Sequence, residues 1–420
     1  MLSFFVLDAG NSQRVSMRTR TYHRSFTCML LPCALLIACS TATPPSVPAV
    51  PSSPSEENER TRLMGSDLRI WPAVDNVDAF NRDAIACLRR FLVNKLNEDA
   101  PNDYWHVPDL THYGGVYPEL LAAEFDEVGD LRNWPTLLSI KPTDSIDQRL
   151  LTVRWAAEDS LGTATRVRYV FDFLARRTND GVRLSFPIGY NTRHWEQHDV
   201  GQVRYVISPQ HRFSPEQAAE QQREIDRLSR FFEVDPFPIT FYSFESATDL
   251  FRAKGYQQHP LMHVFPTGGM VDEGDNVYSG NDKDIYTHEI VHLFVRKRFD
   301  SAPYLLNEGV ATLLGGSVEK DYAWHRATMA RYLNEHPDLD LSAHINTYQQ
   351  ELIDGETSVP YMVGALLCER ILRSHGKAGL LQALGGGADV WKALEPFGIT
   401  RENLDAEIRR TAAQPAFAIP

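Results

Sequence analysis

Between residues 77 and 96 the apolar positions Val77, Phe80, Ile85, Leu88, Phe91, Leu92 and Leu96 recur near helical spacing, which predicts an amphipathic helix. Beyond it the period shortens. The segments 136–140, 149–156, 165–174 and 182–188 alternate or are rich in β-branched and aromatic residues, as strands are, and Asn179-Asp180-Gly181 between the last two is a hairpin signal. A second region opens near residue 202. It predicts a strand at 203–207, and then Ser214-Pro215-Glu216-Gln217 forms a capping box that starts a helix running to Phe232. Another strand at 239–244 and a short helix at 247–254 follow. Strands at 261–265 and 270–279 are expected on either side of Gly268-Gly269. From Asp284 onward the periodicity is nearly all helical, with loops at 301–303, 354–360 and 385–387. No repeat period stands out, which argues against a solenoid or propeller. The fold class expected is α+β: a β-rich α+β module over 61–201, then a small mixed sheet followed by helices over 202–420.

The N-terminal stretch reads differently. Arg18, Arg20, His23 and Arg24 precede a short apolar run, 25–38, that ends in a small residue before a cysteine, as a secretory signal does. Met17 is an alternative start, because what precedes it adds nothing to this pattern. Leu36-Ile37-Ala38-Cys39 resembles the bacterial lipobox, which implies removal of 1–38 and a lipid on Cys39; an ordinary signal peptide with a chance cysteine is the alternative. The Ser-, Pro-, Thr- and Ala-rich stretch 40–54 suits a flexible tether, so 39–60 is assigned as a lipid-anchored linker. The expected location is the cell envelope, facing the periplasm or the exterior, with the membrane as a partner through that lipid.

Of the five cysteines, only Cys87 and Cys368 fall in the folded part, where they are either paired or two buried thiols. The chain carries a net charge of −13, and loss of the basic signal makes it more acidic still, which argues against nucleic acid as a partner.

The chemistry is concentrated in Tyr286-Thr287-His288-Glu289-Ile290-Val291-His292, which contains H-E-x-x-H. On a helix the two histidines stand on one face, where both imidazoles can bind one zinc ion, and Glu289 between them reaches a water there. By chance this five-residue pattern is expected in roughly three chains per hundred of this composition, so its surroundings matter. Asn281, Asp282 and Asp284 offer acidic and capping residues at the helix start, and Arg296-Lys297-Arg298 place positive charge at its end. Downstream lies Leu306-Asn307-Glu308-Gly309-Val310-Ala311-Thr312.

That second segment resembles the N-E-G-x-A signature of the gluzincin metallopeptidases, particularly their aminopeptidase-N-like branch. The resemblance implies a zincin-like peptidase domain over 202–420, with Zn2+ held by His288, His292 and Glu308 and with Glu289 as general base. The interval from His292 to Glu308 is shorter than in that branch. Its glycine-methionine-glutamate exopeptidase motif is only echoed by Gly268-Gly269-Met270-Val271-Asp272-Glu273. A closer resemblance is to the compact peptidase-MA-like proteins found as bacterial lipoproteins, in which a Tyr-Ser-Gly-Asn strand end precedes the zinc helix; here it is Tyr278-Ser279-Gly280-Asn281. Related enzymes use a downstream Tyr or His to stabilise the oxyanion, which makes Tyr361 the candidate, with His344 and Tyr322 competing.

The expected substrate is a peptide or protein, its backbone added to the edge strand 270–279. Two other histidine pairs share the four-residue interval. His194 and His198 read as part of a polar loop, and Pro260 between His259 and His263 spoils helical continuity. No G-x-S-x-G or phosphate-binding G-x-x-x-x-G-K-[ST] occurs. The rival to an enzyme is an inactive peptidase-like lipoprotein that binds peptides or envelope proteins.

Overall fold

The computed structural model describes residues 2–3, 68–97, 102–125, 133–158, 165–272, 274–317, 320–345 and 351–415. The basic stretch, the apolar run, Cys39 and the tether 40–54 lie outside the described residues. A two-residue strand, β1 (Leu2–Ser3), is described at the N-terminus.

The described chain divides into two compact units. The first holds residues 68–191. It contains β2 (Arg69–Ile70), α1 (Ala79–Asn94), α2 (Val107–Tyr113), α3 (Pro118–Leu121), β3 (Trp134–Pro142), β4 (Gln148–Glu158), β5 (Thr165–Thr178), β6 (Gly181–Ser185) and α4 (Ile188–Asn191). Asp78 caps α1 by accepting from the Asn81 amide, and the apolar stripe read from the sequence is the buried face, including Phe80, Leu88, Phe91 and Leu92. Phe91 meets Trp105 edge-on at 5.4 Å and Phe173 of β5 at 5.8 Å. Lys95, just past α1, is fully buried with Glu124; its ammonium also donates to the Leu120 carbonyl at 2.6 Å, and the Trp155 indole donates to Glu124 at 2.8 Å. The sheet order is β10-β5-β4-β3-β2, with β6 hairpinned onto β5 across Asn179-Asp180.

β10 (Tyr256–Gln258) returns from the middle of the second unit's sequence, so that Phe251–Pro260 belongs to the first unit. The other end of the first unit also differs from the sequence expectation: the division falls after Asn191, not 201. The reason is β7 (Glu196–Val200), which pairs antiparallel with β8 (Val203–Ile207) through a turn at Gly201 (φ 59°). The segment read as a polar loop around His198 is thus a strand whose ladder hydrogen bonds outweigh its polar composition.

The second unit continues with α5 (Pro215–Phe232), β9 (Ile239–Ser243), the first half of α6 (Ala247–Lys254), β11 (Gly268–Val271), β12 (Asn276–Gly280), α7 (Thr287–Arg298), α8 (Tyr304–Gly315), α9 (Tyr322–Glu335), α10 (Val359–Leu384), α11 (Val390–Leu394) and α12 (Leu404–Ala413). The sheet runs β1-β11-β12-β9-β8-β7, with β8, β9 and β12 parallel, β7 antiparallel to β8, β11 antiparallel to β12, and β1 parallel to β11. Two strand expectations are corrected. Residues 261–265 form turns, and 270–279 is two strands joined at Asp272, whose carboxylate accepts the Gly274 and Asn276 amides. Consequently β12 lies inside the sheet, and the outer position falls to β11 with β1 beside it. The apolar sides of α5, α7, α8 and α10 share one core with the sheet, and Gly376 (φ 65°) interrupts α10.

Candidate metal centre

The helix carrying H-E-x-x-H starts at Thr287, later than its acidic forerunners suggest. Its N-cap, Tyr286, makes no side-chain cap. The expected capping role of Asp284 is replaced by a buried anchor. Asp284 Oδ1 accepts from Ser243 Oγ at 2.5 Å and from His211 Nε2 at 3.0 Å, and Oδ2 accepts from the Ser214 amide at 2.6 Å. Gln217 and Gln221 of α5 accept the amides of Asp284 and Tyr286. Burial disfavours the charged form of His211, but the carboxylates of Asp284 and Asp282 outweigh it and raise its pKa. Strand β9, helix α5 and the 281–286 segment are tied together here, which sets where α7 begins.

Five residues, Phe299 to Pro303, turn the chain from α7 into α8. The two helices run side by side in opposite directions, so Asn307 and Glu308 come level with His292 while Gly316 comes level with His288. Glu308 Oε2 stands 3.5 Å from His288 Nε2 and 3.7 Å from His292 Nε2. Two atoms each about 2.1 Å from a tetrahedral ion are separated by about 3.4 Å, so this spacing suits co-ligands of a single cation. His288 Nε2 and Glu308 Oε2 are buried without a hydrogen-bond partner, an arrangement that a shared cation satisfies. Among the described residues this is the one group of three or more His, Cys, Asp or Glu side chains whose ligand atoms converge for a metal ion.

The imidazoles are oriented from behind. His288 Nδ1 lies 2.7 Å from the Gly316 carbonyl and His292 Nδ1 lies 3.0 Å from Asn307 Oδ1. Both partners accept, so Nδ1 carries the proton in each ring and the Nε2 lone pair faces Glu308. Sequence reasoning missed these two supports, although the Asn307 signal was present in N-E-G-x-A. The glycine of that motif serves the packing of two helices. A Cβ on Gly309 would come within 2.2 Å of the Gly364 carbonyl carbon, and one on Gly364 within 2.3 Å of the Leu305 carbonyl oxygen. α8 and α10 therefore touch backbone to backbone.

That contact brings Tyr361, in the first turn of α10, to the centre. Its buried ring stacks on His288, with centroids 6.1 Å apart and planes 17° from parallel. Its competitors are committed elsewhere. The Tyr322 hydroxyl donates to buried Glu369, which also binds Arg326 and Arg373, and His344 Nδ1 lies 2.6 Å from Glu351. Glu289 is 2% exposed, and its Oε1 has no hydrogen-bond partner. His325 is a further residue the sequence did not flag. It is buried, with Nε2 2.7 Å from the Ser317 carbonyl and Nδ1 3.0 Å from Thr357 Oγ1, and it links the loop bearing Gly316 to the segment before Tyr361.

Electrostatically the centre favours positive charge. Burial works against protonated His288, yet the Glu308 and Glu289 carboxylates and the Gly316 carbonyl raise its pKa. Burial likewise opposes ionised Glu308, but His292, His288 and the Tyr304 hydroxyl lower its pKa.

The other histidine pairs do not converge. His198 pairs with Glu196 and stacks on Phe213 at 4.0 Å. His259 is buried in the first unit against Phe251, whereas His263 belongs to the second. Cys87 and Cys368 are two buried free thiols.

No protein-family model matches the chain, and no curated protein matches it. The class that the fold and site define is an α+β protein with a buried two-histidine, one-carboxylate centre able to hold a metal ion.

Proposed function

We propose that this chain is a zinc-dependent peptidase of the gluzincin type, held in the cell envelope by a lipid on Cys39 and acting on peptides or proteins. The observation that carries the reading is the convergence of His288, His292 and Glu308, with Glu289 between the histidines on the same helix. Two imidazoles and a carboxylate form a donor set suited to zinc, and three protein ligands are the complement of a catalytic site rather than a closed structural one. Zinc bound there supplies Lewis-acid polarisation of the scissile carbonyl and lowers the pKa of a water in its open position to about 7.

The remaining chemistry belongs to the chain. Glu289 takes the proton of the attacking water and delivers it to the leaving amine, for which its buried carboxylate has a free oxygen. Tyr361, stacked on His288, is placed to donate its hydroxyl proton as a hydrogen bond to the developing oxyanion. Asn307 and the Gly316 carbonyl keep the imidazoles in the ligating tautomer.

Glu289→Gln tests the assignment on the mature chain. It is expected to keep one zinc per molecule while peptide cleavage falls below a thousandth of wild type. Cleavage that survives the substitution, or wild-type protein that binds zinc and cuts no peptide in a diverse mixture, refutes the peptidase reading.

A further inference from the structure

Val77 and Ile146 are the most exposed large apolar side chains among the described residues, at 79% and 78%, and Trp71 is the most exposed tryptophan, at 53%. All three belong to one end of the first unit. β2 runs parallel to β3, so the chain at Trp71 heads toward the 143–147 turn that joins β3 to β4. Helix α1 starts at that end too. Arg149, just past the turn, lies over the Phe80 ring at 4.9 Å and donates to the Ile146 carbonyl at 3.2 Å. Arg177 of β5 covers the same ring at 4.6 Å. Val77 precedes Phe80 by three residues, so it and Ile146 stand around one stack of two guanidinium groups on a phenyl ring.

The exposed side chains are carried on held backbone. The Val77 amide donates to Asp75 Oδ1 at 2.9 Å, and its carbonyl accepts from Arg82. The Trp71 amide donates to the Leu137 carbonyl at 2.9 Å, and its carbonyl accepts the Val74 amide at 2.9 Å. Single apolar residues on a surface are ordinary. A tryptophan with two branched aliphatic residues at one end, flanked by Lys141 and the arginines of the stack, instead has the composition of a membrane-interface anchor. Charge alone does not supply the attraction. Asp75 and Asp78 accept local amides, Asp147 lies 3.9 Å from Arg177, and Asp144 and Asp180 are in the adjoining turns, so neither sign dominates.

The tether identifies the occupant. The 28 residues 40–67 separate Cys39 from Leu68, the first described residue of this unit, which leads directly into β2. A connection of that length reaches at most about 100 Å, so a lipid on Cys39 holds this end beside the bilayer at an effective concentration on the order of a millimolar. Weak insertion is then enough. We propose that this end of the first unit docks on the phospholipid surface, with Trp71, Val77 and Ile146 entering the headgroup region and the arginines meeting lipid phosphates. The inference rests on the lipid-anchor reading for its tether and is independent of peptidase activity.

The test couples the zinc-loaded mature chain through Cys39 to a maleimide lipid in phosphatidylcholine vesicles, a coupling from which the buried Cys87 and Cys368 are protected. The Trp71 emission, taken as the difference between wild type and Trp71→Phe, is expected to fall at least twofold when the acyl chains carry bromine. The same quenching should persist in high salt, because insertion rather than charge holds the contact. Val77→Asp combined with Ile146→Asp should remove most of the quenching and leave the urea midpoint unchanged, since both side chains stand in solvent. Absence of quenching, its loss in high salt, or indifference to the double substitution overturns the proposal. So does a dimer of the uncoupled chain that shields Trp71, which makes a second copy the occupant. Mass spectrometry of Cys39 in the chain taken from bacterial membranes separates the two readings. An acyl group there without quenching removes the docking and keeps the anchor, whereas a bare cysteine removes the anchor and the docking with it.

Discussion

Asn307→Ala deletes one hydrogen-bond acceptor, at 3.0 Å from His292 Nδ1, and no ligand atom. Loss of such an outer partner lowers metal affinity by about 10- to 100-fold, or about 1.4–2.8 kcal/mol. Two terms set this size: the freed imidazole regains rotation, and the tautomer with the proton on Nε2, which cannot ligate, becomes accessible. The fold should not suffer equally. Asn307 lies in the interior of α8, where alanine is the better helix former by about half a kcal/mol, so thermal stability of the metal-free protein is expected to hold or rise slightly. The assay is zinc competition against a chromophoric chelator, with calorimetric melting of the metal-free forms alongside. Asn307→Asp keeps an acceptor and adds charge, so it should recover most or all of the affinity. The reasoning is refuted if Asn307→Ala binds zinc within twofold of wild type, or if its apparent loss is matched by a fall in metal-free stability.

Gly364→Ala forces a methyl to within 2.3 Å of the Leu305 carbonyl oxygen and should cost about 1–3 kcal/mol in urea unfolding, with α8 pushed off α10; an unchanged midpoint would show that the backbone contact is not tight. Lys95→Met leaves Glu124 charged and buried without its cation, and a loss of about 3–5 kcal/mol is expected in the same measurement. For His259, burial and then the nearby Lys254 and Arg168 charges depress the pKa to about 3, so the unfolded state takes up a proton first. Its contribution is complete above about pH 6.5 and is lost as pH falls toward 3, at about 1.4 kcal/mol per pH unit. Urea titrations across that window should show this slope, and His259→Phe should flatten it. His325→Phe removes both hydrogen bonds that link Ser317 to Thr357, and kcat is expected to fall at least tenfold with the zinc stoichiometry unchanged; full activity would make His325 a packing residue only.

The long amphipathic elements were legible because their periodicity is strong: the predicted bounds of α5 and β8 are those observed, and α1 and β3 to β6 differ at their ends. His288 and His292 were legible because helical geometry alone places them together, and Glu308 because it sits in a recognisable segment. What escaped detection depends on a partner rather than on the pattern of the residue's own segment. β7 is a strand by virtue of its ladder with β8, not its own residues, and the Asp272 turn that splits β11 from β12 rests on a carboxylate accepting local amides. The supports of the two imidazoles were hidden for the same reason. Gly316 contributes a carbonyl, which every residue has, and His325 acquires its position only when α9 has folded against the loop after α8.

The return of Phe251–Pro260 to the first unit bears on how the chain is made. Strand β5 obtains its β10 neighbour only after residue 258 has left the ribosome, by which time β7, β8 and β9 have left it as well. The earlier unit must therefore wait with a sheet edge open while the later one begins to assemble, an interval in which a foreign strand could occupy that edge. Severing the gene at any single point between the two units would leave that vacancy permanent.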